Sequence, residues 1–202
     1  MPSLLFAYGA LLDPAVLARR GLPRLPPPTP AVAPGRALAF AHRGGYATLV
    51  PEARAAAWRG AGGGTLVSPA PAHGALFRLP SSQALAVLAA REGGYRLTEI
   101  DVLPYGGAPT PRRALAFLTS PGLTMIGGPL PPRAAYAAKL RAGAAAAGLE
   151  DGWVTWLAAV ATLDDGPPRP PASGDPVAGR VAGVGAGVAL VAAGVVAAAG
   201  GG

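Results

Sequence analysis

Ser3-Leu4-Leu5-Phe6-Ala7-Tyr8-Gly9-Ala10-Leu11-Leu12-Asp13-Pro14 is the stretch that decides how this chain begins to fold. Ser3 to Tyr8 is a short apolar run suited to a buried strand. Gly9 and Ala10 turn the chain, and Asp13-Pro14 supplies an N-cap followed by proline at the first helical position, which predicts a helix through Arg20. A strand, a tight turn and a helix start in succession leave several amide N–H groups without a partner. Alone, this reads as an ordinary tight turn. Beside a proton-transferring group it becomes a place for a carboxylate or a developing oxyanion.

A candidate for that group stands in Ala90-Arg91-Glu92-Gly93-Gly94-Tyr95. Ser81 to Ala90 reads as a helix, capped by Ser81 or Ser82, with Leu85, Leu88 and Ala89 on one apolar face and Gly93-Gly94 as the stop. Glu92 therefore falls at or just past the C-terminal end, where the macrodipole is negative and exposed carbonyls repel an anion. That placement predicts a raised pKa, suited to a carboxyl that must take and give a proton near neutrality. By itself the same residue also reads as a solvated surface glutamate beside Arg91.

Between and beyond these stretches, strands are predicted over Gly35 to Ala41 and Tyr46 to Val50, joined by the hairpin signal His42-Arg43-Gly44-Gly45. Further strands are predicted over Gly74 to Leu79, Tyr95 to Leu103 and Arg113 to Thr119. In Tyr95 to Leu103, Thr98, Ile100 and Val102 share one face while Glu99 and Asp101 form a solvated one. The proline-rich stretch Pro23 to Pro34 is expected to be an extended loop, and Glu52 to Pro71 to be irregular, with Leu66-Val67 starting a strand. Helices are expected over Pro132 to Ala147 and Asp151 to Leu163, the latter with Trp153 and Trp156 as core anchors. Tyr105 and Tyr136 read as core or rim residues, with a place in a cavity as the alternative.

Composition narrows the chemistry. The chain has 202 residues, 51% of them apolar but only 6% aromatic, so core volume must come from leucine, valine and a few rings. The formal charge of +7 comes from arginines scattered along the chain, with Lys139 the only lysine, so no nucleic-acid-binding face is expected. There is no cysteine, which excludes disulfides, thiol catalysis and cysteine-ligated metals. His42 and His73 stand apart, each expected to flank a strand, so neither a Ser-His-Asp triad nor a metal site is expected. No cofactor is predicted, and Pro2 with no basic n-region does not read as a signal peptide.

The folded domain is expected to span residues 1–165, followed by a Pro/Gly-rich linker over 166–180 and an apolar Gly/Ala/Val tail over 181–202. Val181, Val184, Val188, Val191 and Val195 recur at helical spacing in that tail, and Gly183 and Gly187 form a small-xxx-small pair. Its length just spans a bilayer, yet glycine and alanine insert weakly, so a disordered low-complexity tail is favoured over a tail anchor. A cytoplasmic location is expected, with membrane tethering through the tail as the alternative.

Taken in order, Phe6-Ala7-Tyr8-Gly9-Ala10-Leu11, the Gly35 to Pro51 hairpin, Gly74-Ala75-Leu76-Phe77-Arg78-Leu79, Arg91-Glu92-Gly93-Gly94-Tyr95, Pro131-Pro132-Arg133-Ala134-Ala135-Tyr136, Gly143-Ala144 and Gly148-Leu149 resemble the γ-glutamylcyclotransferase family. That family includes a glutathione-specific branch and the γ-glutamylamine cyclotransferases, and the resemblance covers roughly Ser3 to Leu163. It implies an α+β fold, a small mixed barrel flanked by helices. It implies that Tyr8, Gly9, Ala10 and Leu11 line the substrate cavity and that Glu92 is the catalytic acid/base. The implied reaction cuts γ-glutamyl amides, such as γ-glutamyl amino acids or glutathione, to 5-oxoproline and a free amine without a cofactor. The family usually carries serine where Ala10 stands. Backbone-amide binding tolerates that change, whereas a hydroxyl contact would be lost. A non-catalytic module binding a metabolite or protein on the same fold is the alternative, and a membrane-tethered interaction protein a further one.

Overall fold

The structure is a computed structural model that describes residues 3–22, 25–107 and 110–164. The expected linker and apolar tail, 166–180 and 181–202, lie outside the described residues. All the described residues belong to one folded unit.

Its centre is a closed barrel in the order β1-β5-β2-β6-β7, formed by β1 (Ser3–Ala7), β5 (Ala72–Leu79), β2 (Thr29–Ala33), β6 (Tyr95–Pro104) and β7 (Arg112–Thr119). All pairings are antiparallel except β1 with β7, which closes the ring in parallel at Leu5↔Leu115. With its flanking helices this is the small mixed α+β barrel expected. One barrel strand was hidden in the sequence. Pro23 to Pro34 contains β2, which pairs on both sides even though Pro30 cannot donate from its nitrogen.

The hairpin of β3 (Arg36–His42) and β4 (Tyr46–Pro51) forms its own two-stranded sheet beside the barrel. Leu38, Phe40, Ala47 and Leu49 face the main core, while Ala37, Ala39, Ala41 and Val50 pack with Ala55 and Trp58 of α2 (Glu52–Trp58). A strand buried on both faces needs two covers, and α2 is the second. The stretch from Glu52 is thus helical where an irregular segment was expected; Glu52 sits favourably in its first turn. Val67 makes only an isolated bridge to Ala39.

The remaining helices are α1 (Pro14–Arg19), α3 (Ser82–Ala89), α4 (Ala134–Ala146) and α5 (Asp151–Ala159). Asp13 caps α1 by accepting the Ala15 amide at 2.8 Å, and Ser81 caps α3 by accepting that of Ala84 at 3.2 Å. Leu88 is fully buried, with Leu85 and Ala89 packed beside it. In α4, Gly143 lets the helix lie directly on the turn after β1, because a Cβ there would fall 2.8 Å from both the Asp13 nitrogen and the Leu12 Cβ. Trp153 is 3% exposed and Trp156 packs against the same core. Among the described residues, no helix is long and apolar enough to cross a membrane.

Candidate functional site

A cavity of about 260 Å³ opens where several elements meet. Its walls include Tyr8, Gly9, Ala10 and Leu11 after β1, Arg20 at the end of α1, His42 and Tyr46 from the hairpin, Arg91 and Glu92 after α3, Tyr95 at the start of β6, and Tyr136 of α4. The bend and the carboxylate singled out in the sequence thus share one cavity.

The bend is a single 3-10 turn, Ala10–Leu12, entered through Gly9. Leu12 and Asp13 donate their amides to the carbonyls of Gly9 and Ala10, while the N–H groups of Gly9, Ala10 and Leu11 find no acceptor among the described residues. A Cβ on Gly9 would lie 3.4 Å from the Tyr136 hydroxyl oxygen, so glycine keeps this part of the cavity open.

Glu92 is held at the cavity wall by the turn that follows α3. Its amide donates to the Ala89 carbonyl at 3.2 Å and its carbonyl accepts from Tyr95 at 3.1 Å. Its side chain is 14% exposed, and Oε1 lies 3.3 Å from Nη2 of Arg20. Burial pushes the carboxyl above its ordinary value, and Arg20 opposes that rise. The rise matches the sequence expectation in direction but differs in cause. Desolvation dominates, not the repulsion of the helix end.

The glycine stop after Glu92 has a tertiary reason as well. Gly94 takes a φ of +85°, and a Cβ there would meet His42 Cε1 at 2.9 Å and Leu123 Cδ1 at 3.0 Å. That close approach seats His42, which stacks on Tyr95 with ring centroids 4.5 Å apart. His42 ends a strand, as expected, but it also lines the cavity. Burial lowers its pKa, so the imidazole is neutral at neutral pH, and its Nδ1 is buried without a hydrogen-bond partner.

Three tyrosine hydroxyls complete the wall. Tyr136 accepts the Ala47 amide at 3.1 Å, and Tyr95 donates to the Ala47 carbonyl at 2.9 Å. Ala47 lies where the hairpin register slips between Ala39 and His42, so the two tyrosines satisfy backbone groups of the irregular stretch. Tyr8 donates to the Phe117 carbonyl. Burial raises all three phenols far above their ordinary values, so they stay protonated. Since its oxygen already accepts from Ala47, Tyr136 keeps its own proton free to donate into the cavity.

Sequence reasoning missed Arg20, Arg91, His42 and Tyr95 as cavity residues and left Tyr136 open. The adjacency of Arg91 and Tyr95 to Glu92 was a usable signal; nothing local marks the others. Tyr105 lies elsewhere, hydrogen-bonded to His73. Among the described residues, no three His, Asp or Glu side chains gather to hold a metal ion.

No family model and no curated protein matches this chain in sequence. Solved structures do match its fold. One is a γ-glutamyl cyclotransferase, with a TM-score of 0.60 and 20% identity over 81% of this chain and 90% of that one. An uncharacterized protein from Homo sapiens gives a TM-score of 0.60 and 20% identity over 80% of this chain and 89% of that one. A γ-glutamyl cyclotransferase specific to glutathione, from yeast, gives 0.50 and 16% over 78% of this chain and 96% of that one. These likenesses meet the resemblance read from Ser3 to Leu163 at the level of architecture. This chain has the γ-glutamylcyclotransferase-like fold.

Proposed function

We propose that the chain is a γ-glutamyl cyclotransferase that cleaves γ-glutamyl amides by intramolecular aminolysis, with Glu92 as acid and base. The observation that carries this reading is the largely desolvated Glu92 carboxyl lining the same cavity as Gly9, Ala10 and Leu11, whose amide N–H groups have no acceptor among the described residues.

A γ-glutamyl compound brings its own nucleophile. Its α-amine closes a five-membered ring on the γ-carbonyl, so the protein needs only to fold the substrate and manage protons. Glu92 takes a proton from the α-ammonium, and the freed amine forms a C–N bond with the γ-carbonyl carbon. The developing oxyanion is met by N–H donors of Gly9, Ala10 and Leu11 or by the Tyr136 hydroxyl. Glu92 then gives its proton to the departing amide nitrogen as the original C–N bond breaks, and the second proton on the ring nitrogen passes to the released amine, which departs as an ammonium. The products are 5-oxoproline and a free amine. A carboxyl raised by burial suits both halves, because it binds a proton more readily than a solvated glutamate and still releases it.

Ala10 in place of the family's usual serine favours amide binding over a hydroxyl contact. It also supports a second reading, a binding module on the same fold that has lost the reaction. Incubation with glutathione, γ-Glu-Ala and ε-(γ-glutamyl)-lysine, assayed for 5-oxoproline, separates the two. Product from at least one substrate, abolished in Glu92→Gln, is the expected result. No product from any of them replaces the enzyme with the binding module.

A further inference from the structure

The carboxyl of Glu92 is poorly anchored by its own segment, since Oε1 is buried and accepts no aligned hydrogen bond. What holds it comes from far away in the chain. Arg20, just past the end of the helix that follows the amide-rich bend, places Nη2 3.3 Å from that oxygen and donates through Nη1 to the carbonyl of Arg91. Arg91 returns the tie by donating from Nη1 to the Arg19 carbonyl at 3.0 Å. The end of α1 and the turn after α3 are therefore fastened to each other beside the carboxyl.

We propose that Arg20 is a positioning residue, whose fork-shaped guanidinium fixes the Glu92 carboxylate at the cavity wall and ties its turn to α1. The inference rests on the cyclotransferase reading for its kinetic consequence but not for its geometry. An arginine can reach a carbonyl and a carboxylate together, which a lysine ammonium on a flexible stem does poorly.

The groups facing Glu92 identify Arg20 as the cation that acts on it. Tyr8 after β1, Tyr95 of β6 and Tyr136 of α4 stay protonated, and His42 of the hairpin is neutral. Tyr46 shares the cavity with His42. Arg91 is turned toward the Arg19 carbonyl, which leaves Arg20 as the charge that opposes the burial of Glu92.

The test is a pH titration of the full chain labelled with δ-13C glutamate, with Glu92→Gln identifying the resonance. Arg20→Met and Arg20→Gln are expected to move the Glu92 midpoint up by about one pH unit, the order an adjacent opposite charge produces. Arg20→Lys should keep the midpoint near wild type yet lower kcat/KM on γ-Glu-Ala roughly tenfold, because it restores the charge without the fork. In Arg20→Met the acid limb of kcat/KM should follow the midpoint. An unmoved midpoint in either neutral variant, with the fold intact by circular dichroism, overturns the proposal. If the wild-type chain makes no 5-oxoproline while the midpoint still moves, the cyclotransferase reading falls and the Arg20 assignment stands.

Discussion

His42 and His73 sit in clusters of similar composition. His42 stacks on Tyr95 with centroids 4.5 Å apart and shares a cavity with Glu92; His73 stacks on Trp153 at 4.7 Å with Nδ1 4.0 Å from Glu150. Both imidazoles are lowered by burial, with Glu150 partly opposing in the second case. The glutamates differ. The Glu92 side chain is 14% exposed, whereas that of Glu150 is 63% exposed at the N-terminus of α5. His73 spends a ring nitrogen on the Tyr105 hydroxyl, and neither His73 nor Glu150 lines the cavity. The same residue types therefore make a candidate reaction site in one place and a packed brace in the other. What separates them is a desolvated carboxyl beside empty space.

The sharpest way to break this contrast is to neutralise each glutamate. Glu92→Gln should lower kcat/KM about 10³-fold, within the range expected for losing a general acid/base, while Glu150→Gln changes it by no more than about twofold. Equal losses would erase the distinction. Trp153→Ala tests the brace. Truncating this buried indole should cost about 3 kcal/mol in denaturant unfolding without moving the pH at which activity rises. Gly94→Ala forces a side chain into a φ of +85° and onto His42, so it should cost roughly 1–3 kcal/mol and reduce activity, since it disturbs the cavity wall.

Smaller effects sharpen the comparison. Tyr136→Phe removes a hydroxyl that faces Gly9 and should lower kcat roughly fivefold to tenfold, about the contribution of one hydrogen bond; Tyr105→Phe should leave kcat unchanged. The smallest expected effect is on stability. Burial raises the folded-state pKa of Glu92, so the stability linked to this group is present below the unfolded carboxylate range and lost as pH rises through the folded value. Glu92→Gln escapes that loss. Its Tm should exceed that of the wild type by no more than a few degrees near neutral pH, and the gap should close in acid. A gap that widens in acid would contradict the burial of a charged carboxyl.

Much of the architecture was legible because its signals are local. Alternation marked β6, Asp13-Pro14 marked the start of α1, and Ser81 with Gly93-Gly94 bracketed the segment bearing Glu92. Two elements escaped, β2 for want of a local signal and α2 because its helix-favouring run, Glu52 to Trp58, was read together with the glycines that follow it. β2 lies among prolines and is a strand because β5 and β6 flank it. α2 follows a hairpin whose alanine-lined face requires a cover, a requirement visible only once β3 is seen buried on both sides.

The site divides along the same line. Glu92 and the Tyr8 to Leu11 bend could be named as candidates from the chain itself, but each alone reads as ordinary, and only the family resemblance joins them. That they border one cavity with Arg20, His42 and Tyr136 is a product of folding alone. Barrel closure brings β1 against β7, Gly143 seats α4 on the bend, and Gly94 admits His42, all contacts between residues far apart in sequence. Local propensity acts within a helical turn or a strand pair. Desolvation of a carboxyl depends on everything packed around it, and so it was decided by the tertiary structure.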